Sequence, residues 1–147
     1  MILSLINELA EYERLSHEAV ASEASLQDSL FGAKPSAEAL IARVDGEPAG
    51  FALFFHNFST FLGRHGLYLE DLFVRPNFRG RAIGKSLLIH LAALAVERGC
   101  GRFEWQVLDW NTPARDFYER LGAKANSAWV SYRVSGEALQ RLAAARP

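Results

Sequence analysis

The run Arg75-Pro76-Asn77-Phe78-Arg79-Gly80-Arg81-Ala82-Ile83-Gly84 constrains this chain more than any other stretch of it. It is basic, punctuated by glycine, and leads straight into an apolar period. Ile83, Leu87, Leu88, Leu91, Leu94 and Ala95 recur at helical spacing, which predicts one long amphipathic helix over residues 84–98, closed by Gly99. Strand formers lie on both sides of it, at residues 67–74 before the loop and 102–108 after the helix. Strand, loop, helix, strand in that order marks a crossover between parallel strands. The loop itself suits an anion. Glycines at 80 and 84 let the backbone turn its amides toward one point, and the helix start adds unsatisfied N–H groups and the positive end of its dipole. The same residues also suit a plain turn with solvated arginines, and spacing alone favours neither reading.

The rest of the chain fills in a three-layer α/β domain with a mixed sheet, its strand ends converging near residues 72–84. Ile2, Leu5, Ile6 and Leu9 predict an amphipathic opening helix. Residues 22–31 predict a second, capped by Ser22 and ended by Gly32. Residues 38–44 and 49–58, separated by Asp45-Gly46-Glu47-Pro48, read as a hairpin. Further on, the sequence predicts a helix over 112–121, a last strand over 128–134 and a terminal helix over 136–145.

Composition narrows the functional classes. A chain of 147 residues is about one domain's worth, and a single domain over 1–147 is expected. Sixteen basic against seventeen acidic residues advertise neither nucleic acid nor a membrane surface as a partner. The lone Cys100 fits a reducing cytoplasm and is expected to be inert. His17, His56, His65 and His90 show no metal-ligand spacing, so no metal is expected. The first ten residues carry no leader pattern and no run is long enough to span a bilayer, so neither export nor anchoring is expected.

The loop resembles the CoA-pyrophosphate signature of the Gcn5-related N-acetyltransferases: Arg or Gln, two residues, Gly, one residue, then Gly or Ala. Arg79 to Gly84 follows it, with Ala82 standing where glycine is usual. Tyr68-Leu69-Glu70-Asp71, Asp109-Trp110-Asn111 and Asp116-Phe117-Tyr118-Glu119-Arg120-Leu121-Gly122-Ala123 extend the likeness over nearly the whole chain and bring it closest to the diamine acetyltransferases, of the spermidine/spermine and thialysine types. Family members usually begin with a strand that has no counterpart before the first helix here. Without it the strand at 38–44 becomes an edge that favours a homodimer.

The resemblance implies acetyl-CoA as cosubstrate and a small primary amine as acceptor. At pH 7 an alkyl ammonium of pKa near 10.4 costs about 4 to 5 kcal/mol to deprotonate. Glu70 is the implied base, acting directly or through a water, and Tyr118 the implied acid toward the departing thiolate. Leu72, Phe73 and Val74 are implied to pair with the pantetheine arm like an added strand, the Val74 amide polarising the thioester carbonyl. Arg79, Gly80, Arg81, Ala82, Ile83, Gly84 and Lys85 are implied for the pyrophosphate, and Asn111 for the arm's other side. Glu13, Asp71, Phe61 and Trp129 are candidates for the acceptor. Strict strand alternation would set Glu70 and Asp71 on opposite faces. Ser59 and Ser127 stand where polyamine enzymes carry acids, which points to a short amine or an amino acid. Two alternatives stay open: a non-catalytic CoA-binding or interaction domain, and an acetyltransferase of a protein amine.

Overall fold

Asp45 and Gly46 both adopt positive φ, 51° and 85°. This is the left-handed pair that a two-residue hairpin turn demands, and it folds β1 (Glu38–Val44) onto β2 (Glu47–Ser59). In the computed structural model, which describes residues 1–145, β3 (Arg64–Val74) pairs antiparallel with β2. The 15-residue α3 (Ile83–Glu97) then carries the chain back to β4 (Phe103–Trp105), parallel to β3. Sheet order is β1-β2-β3-β4, mixed as the sequence predicts, and mostly antiparallel.

Two helices cover the two faces. The first element, α1 (Ile2–Tyr12), lays Leu5 and Leu9 on Phe51 and Phe73, with Ile6, Ile41 and Leu53 packed around them. On the other face α3 buries Leu87, Leu88, Leu91 and Ala95. At the end of that helix Arg98 pairs with Glu38 at 2.6 Å and lies over the Phe54 ring at 6.0 Å. Leu5, Phe51, Phe54 and Leu91 are almost wholly buried, and each burial is worth roughly 1.5–3 kcal/mol. A further helix, α2 (Glu23–Phe31), starts at Ser22, whose partner in a reciprocal cap is Ser25.

The β2–β3 register slips once. Leu53 stands opposite Asp71 and Phe54 opposite Leu69, so Glu70 is the extra residue of a bulge. Its effect is to switch faces. Asp71 and Phe73 share the α1 side with Leu53 and Phe51, while Leu69 shares the α3 side with Phe54, although all three β3 residues are odd-numbered. The alternation expected to separate Glu70 from Asp71 therefore does not run through this point.

The residues up to Leu108 form one compact unit, and those from Asp109 onward a second. The second contains α4 (Thr112–Arg120) and α5 (Gly136–Ala144) with irregular chain between them. Two expectations fail here. Residues 128–134 form no strand: Trp129, Val130 and Tyr132 are strand formers, but they are exposed and no strand of the second unit is described for them to pair with. The strand expected over 102–108 is only the three residues of β4, because its ladder with β3 ends at Leu69–Trp105.

Candidate active site

Where the β3–β4 ladder stops, an edge opens inside the sheet. Leu67, Tyr68 and Leu69 pair with Phe103, Glu104 and Trp105. From Glu70 to Val74, β3 keeps β2 on one side and pairs with no strand on the other among the described residues. A strand edge of this kind recruits an extended partner through its backbone groups. Of the three residues implied for the pantetheine arm, Leu72 and Val74 are half-buried, while the Phe73 ring is core, packed on α1.

This edge runs straight into the basic loop. A single turn of 3-10 helix (Pro76–Phe78) leads to Gly80 at φ 77° and Ala82 at φ 58°, both left-handed, and Ala82 is the N-cap of α3. Alanine has no oxygen with which to cap, and no side-chain cap is present. The first intrahelical bond is Ser86 N–H to the Ala82 carbonyl, so the amides of Ile83, Gly84 and Lys85 have no acceptor within the helix. They form a cluster of donors at the positive end of a four-turn helix, which is chemically an anion site. Arg81 and Lys85 are exposed beside it.

The Arg79 side chain turns toward the strand end and α1. Its Nε donates to the Val74 carbonyl at 3.0 Å, and its guanidinium lies 4.9 Å from the Tyr12 ring and 5.9 Å from that of Phe73. The side chain straps the loop back onto the strand end and α1.

Three carboxylates gather on the α1 side. Asp71 is largely buried, and burial, with the nearby charges of Glu70 and Glu13, pushes its pKa up to about 6. Glu13, at the C-cap of α1, is raised by burial. Glu70 is exposed. Tyr68, just before the bulge, is raised by burial and by the charges of Glu70 and Glu104. A half-desolvated acidic cluster is a site that a cation would relieve.

Phe61 does not join that cluster. It sits in the β2–β3 turn, 97% exposed, and six residues of β3 alone put it roughly 20 Å from Glu70. Ser59, the last residue of β2, is buried, its hydroxyl accepting from the Leu62 amide at 3.2 Å.

In the second unit, Tyr118 lies half-buried on α4 with its ring 5.6 Å from that of Phe117. Asn111 is buried and caps α4 by accepting from the Ala114 amide at 3.4 Å. Trp129 is 76% exposed.

Sequence reasoning missed one pair. Arg75 grips Glu8 in a fork, Nε to Oε2 at 2.8 Å and Nη2 to Oε1 at 2.7 Å, and its Nη1 donates to the Pro48 carbonyl at 2.8 Å. The Arg75 guanidinium beside Glu8 holds that carboxyl below the usual range. Residues 67 apart in sequence carry no local signal that predicts such a pair.

Comparison with known proteins agrees with the geometry. The chain is 40% identical over 153 residues to a thialysine N-epsilon-acetyltransferase of Sus scrofa, covering 97% of this chain and 89% of that protein. It is 32% identical to the L-ornithine N5-acetyltransferase NATA1 of Arabidopsis thaliana, covering 96% and 82%. The integron cassette protein VCH_CASS6 of V. cholerae superposes with a TM-score of 0.83 at 30% identity, over 98% of this chain and 90% of that one. The model of the acetyltransferase (GNAT) family matches residues 3–123, spanning the bulged strand, the loop and α4. The chain belongs to the acetyltransferase (GNAT) family and is an N-acetyltransferase.

Proposed function

We infer that the protein moves the acetyl group of acetyl-CoA to the primary amine of a small cationic acceptor, an amino acid of the thialysine or ornithine kind or a short diamine. One observation carries the reading: a free strand edge from Glu70 to Val74 that ends in an uncapped helix N-terminus. The edge suits the amide-rich arm of the cosubstrate, and the donors of residues 83–85 suit its pyrophosphate. The acidic cluster of Glu13, Glu70 and Asp71 suits an acceptor with a second charge. The relatives named for thialysine and L-ornithine support the same acceptor class.

In this reading Glu70, exposed at the bulge, takes the proton of the attacking amine directly or through a water, and the Val74 amide faces the developing oxyanion. Tyr118 supplies a proton to the departing thiolate. Asp71 and Glu13 hold the acceptor's cationic part, and Asn111 borders the arm. On the resemblance alone, Phe61 and Trp129 are also proposed for the acceptor. No metal takes part. We further propose that residues 1–147 work as one acetyltransferase domain, supported by a family match that crosses both compact units. A cytoplasmic location suits a chain with one cysteine, and no helix among the described residues is long and apolar enough to cross a membrane. A homodimer is supported by the edge position of β1.

The test is release of free thiol from acetyl-CoA with thialysine, ornithine, lysine, short diamines, spermidine or no amine. Release that depends on the amino acids or short diamines upholds the reading. Spermidine as the best acceptor overturns the choice of a short amine. No release, with acetyl-CoA still bound, replaces the small amine with a protein acceptor or catalysis with binding alone.

A further inference from the structure

We propose that Arg75 is a positioning residue for the acceptor site: its fork on Glu8 sets where α1 ends, and with it where the Glu13 carboxylate stands relative to Asp71. The proposal rests on the reading of Glu13 and Asp71 as the acceptor's cation site.

Leu5, Glu8, Leu9 and Tyr12 fall at i, i+3, i+4 and i+7, so they share one face of α1. The two leucines pack that face onto the sheet, and the contact they make is non-directional. The polar members add direction. A guanidinium–carboxylate fork fixes angle as well as distance. Arg75 is itself tied down, its amide donating to the Ala49 carbonyl at 2.9 Å and its Nη1 to that of Pro48. One turn further along, Arg79 lies over Tyr12. Thus both arginines at the start of the loop point at α1, one on each of its last two turns. Glu13 is the next residue, and beyond it Arg14 turns the chain away at φ 62°. The position of Glu13 is therefore set by contacts that begin at the end of β3, where the cosubstrate's strand edge also ends.

The pair's side chains are 28% and 33% exposed, and such a fork can add to stability as well as to geometry. A positioning role is therefore distinguished by acceptor binding, which a purely stabilising contact would leave intact.

The experiment compares Glu8→Gln, Glu13→Gln and the double variant with the unaltered protein, by steady-state kinetics for both substrates and by thermal melting. Expected for Glu8→Gln is an amine KM raised about 10-fold with an acetyl-CoA KM within about 2-fold, whatever the change in Tm. In the Glu13→Gln background the same change should add less than about 2-fold, because its effect passes through Glu13. A lowered Tm with both KM values intact would make the pair packing only and overturn the proposal. A rise confined to the acetyl-CoA KM would assign Arg75 to the cosubstrate site, and full additivity with Glu13→Gln would show that Glu13 is not the intermediary; each overturns it. A silent Glu13→Gln sinks the acceptor reading and this proposal together. An impaired Glu13→Gln beside a silent Glu8→Gln sinks the positioning role alone. Should Glu8→Gln fail to fold, Arg75→Lys, which keeps the charge and loses the fork, carries the same comparisons.

Discussion

Gly50 stands opposite Val74 where β2 and β3 pair, and a Cβ built on Gly50 would lie 2.5 Å from the Phe73 carbonyl oxygen. That oxygen is backbone, so rotating a side chain cannot relieve the clash. Gly50→Ala must push the end of β3 out of place or break its pairing. The expected cost is about 2 kcal/mol or more of folding stability. Because Val74 closes the open strand edge, acetyl-CoA binding should weaken with it. Urea denaturation and calorimetric titration with CoA check the two effects; unchanged stability would mean that the sheet end yields freely, and the edge would then be no fixed template.

Ala82 sits at φ 58°, ψ 16°, a left-handed position that costs an L-residue roughly 1–2 kcal/mol. Ala82→Gly removes that strain at the expense of extra freedom in the unfolded chain. A net gain of about 0.5 kcal/mol is expected in chemical denaturation, with acetyl-CoA affinity equal or tighter because the amides of the loop lose a neighbouring methyl group. A less stable variant would show that the Ala82 methyl makes a contact worth more than the strain.

The sequence exposed those features that depend on neighbours in the chain. The Asp45-Gly46 turn, the Ser22 cap and the α3 period are local, and each appears where its residues predict it. The bulge at Glu70 was not legible, because it is a relation of register between β2 and β3 and no glycine marks it. Its consequence was equally hidden: alternation read from residue numbers puts Leu69 and Asp71 on one face, and the fold puts them on two. The segment 128–134 erred the opposite way, since Trp129, Val130 and Tyr132 have strand propensity while a strand also needs a neighbour to bond with. In the loop the residue pattern located the helix start, but the direction of Arg79 depends on Tyr12, which comes from the far end of the chain.

Tyr118→Phe removes one oxygen from a half-buried ring and leaves its packing beside Phe117 intact. If the phenol supplies the proton to the thiolate, kcat should fall about 100-fold or more while the acetyl-CoA KM stays within about 2-fold. Equal losses in both would make the residue part of the binding surface. Rapid-quench measurement of the acetylated amine in a single turnover reports the chemical step, and its comparison with thiol release in solution separates that step from product release.

Asp71 is expected to dominate the pH response of the acceptor site. Its folded pKa is about 6 against an ordinary 3.8, so between pH 4 and 6 the folded state holds a proton that the unfolded chain has released. Stability attributable to this group therefore falls as pH rises through that window, by on the order of 2–3 kcal/mol, and is flat above it. Asp71→Asn removes the slope. The difference in stability between variant and unaltered protein, measured by urea melts from pH 4 to 7, should grow with pH in the variant's favour. Burial is the main cause of the raised pKa, and Glu70 and Glu13 add to it, so a cationic acceptor entering among the three carboxylates should favour the ionised form. The kcat/KM for the amine should then rise with pH through about 6, and in Asp71→Asn that limb should disappear along with much of the amine affinity. A variant that gains stability at pH 7 yet keeps both the limb and the affinity would leave Asp71 as a buried acid of the scaffold and move the cation site onto Glu13 and Glu70.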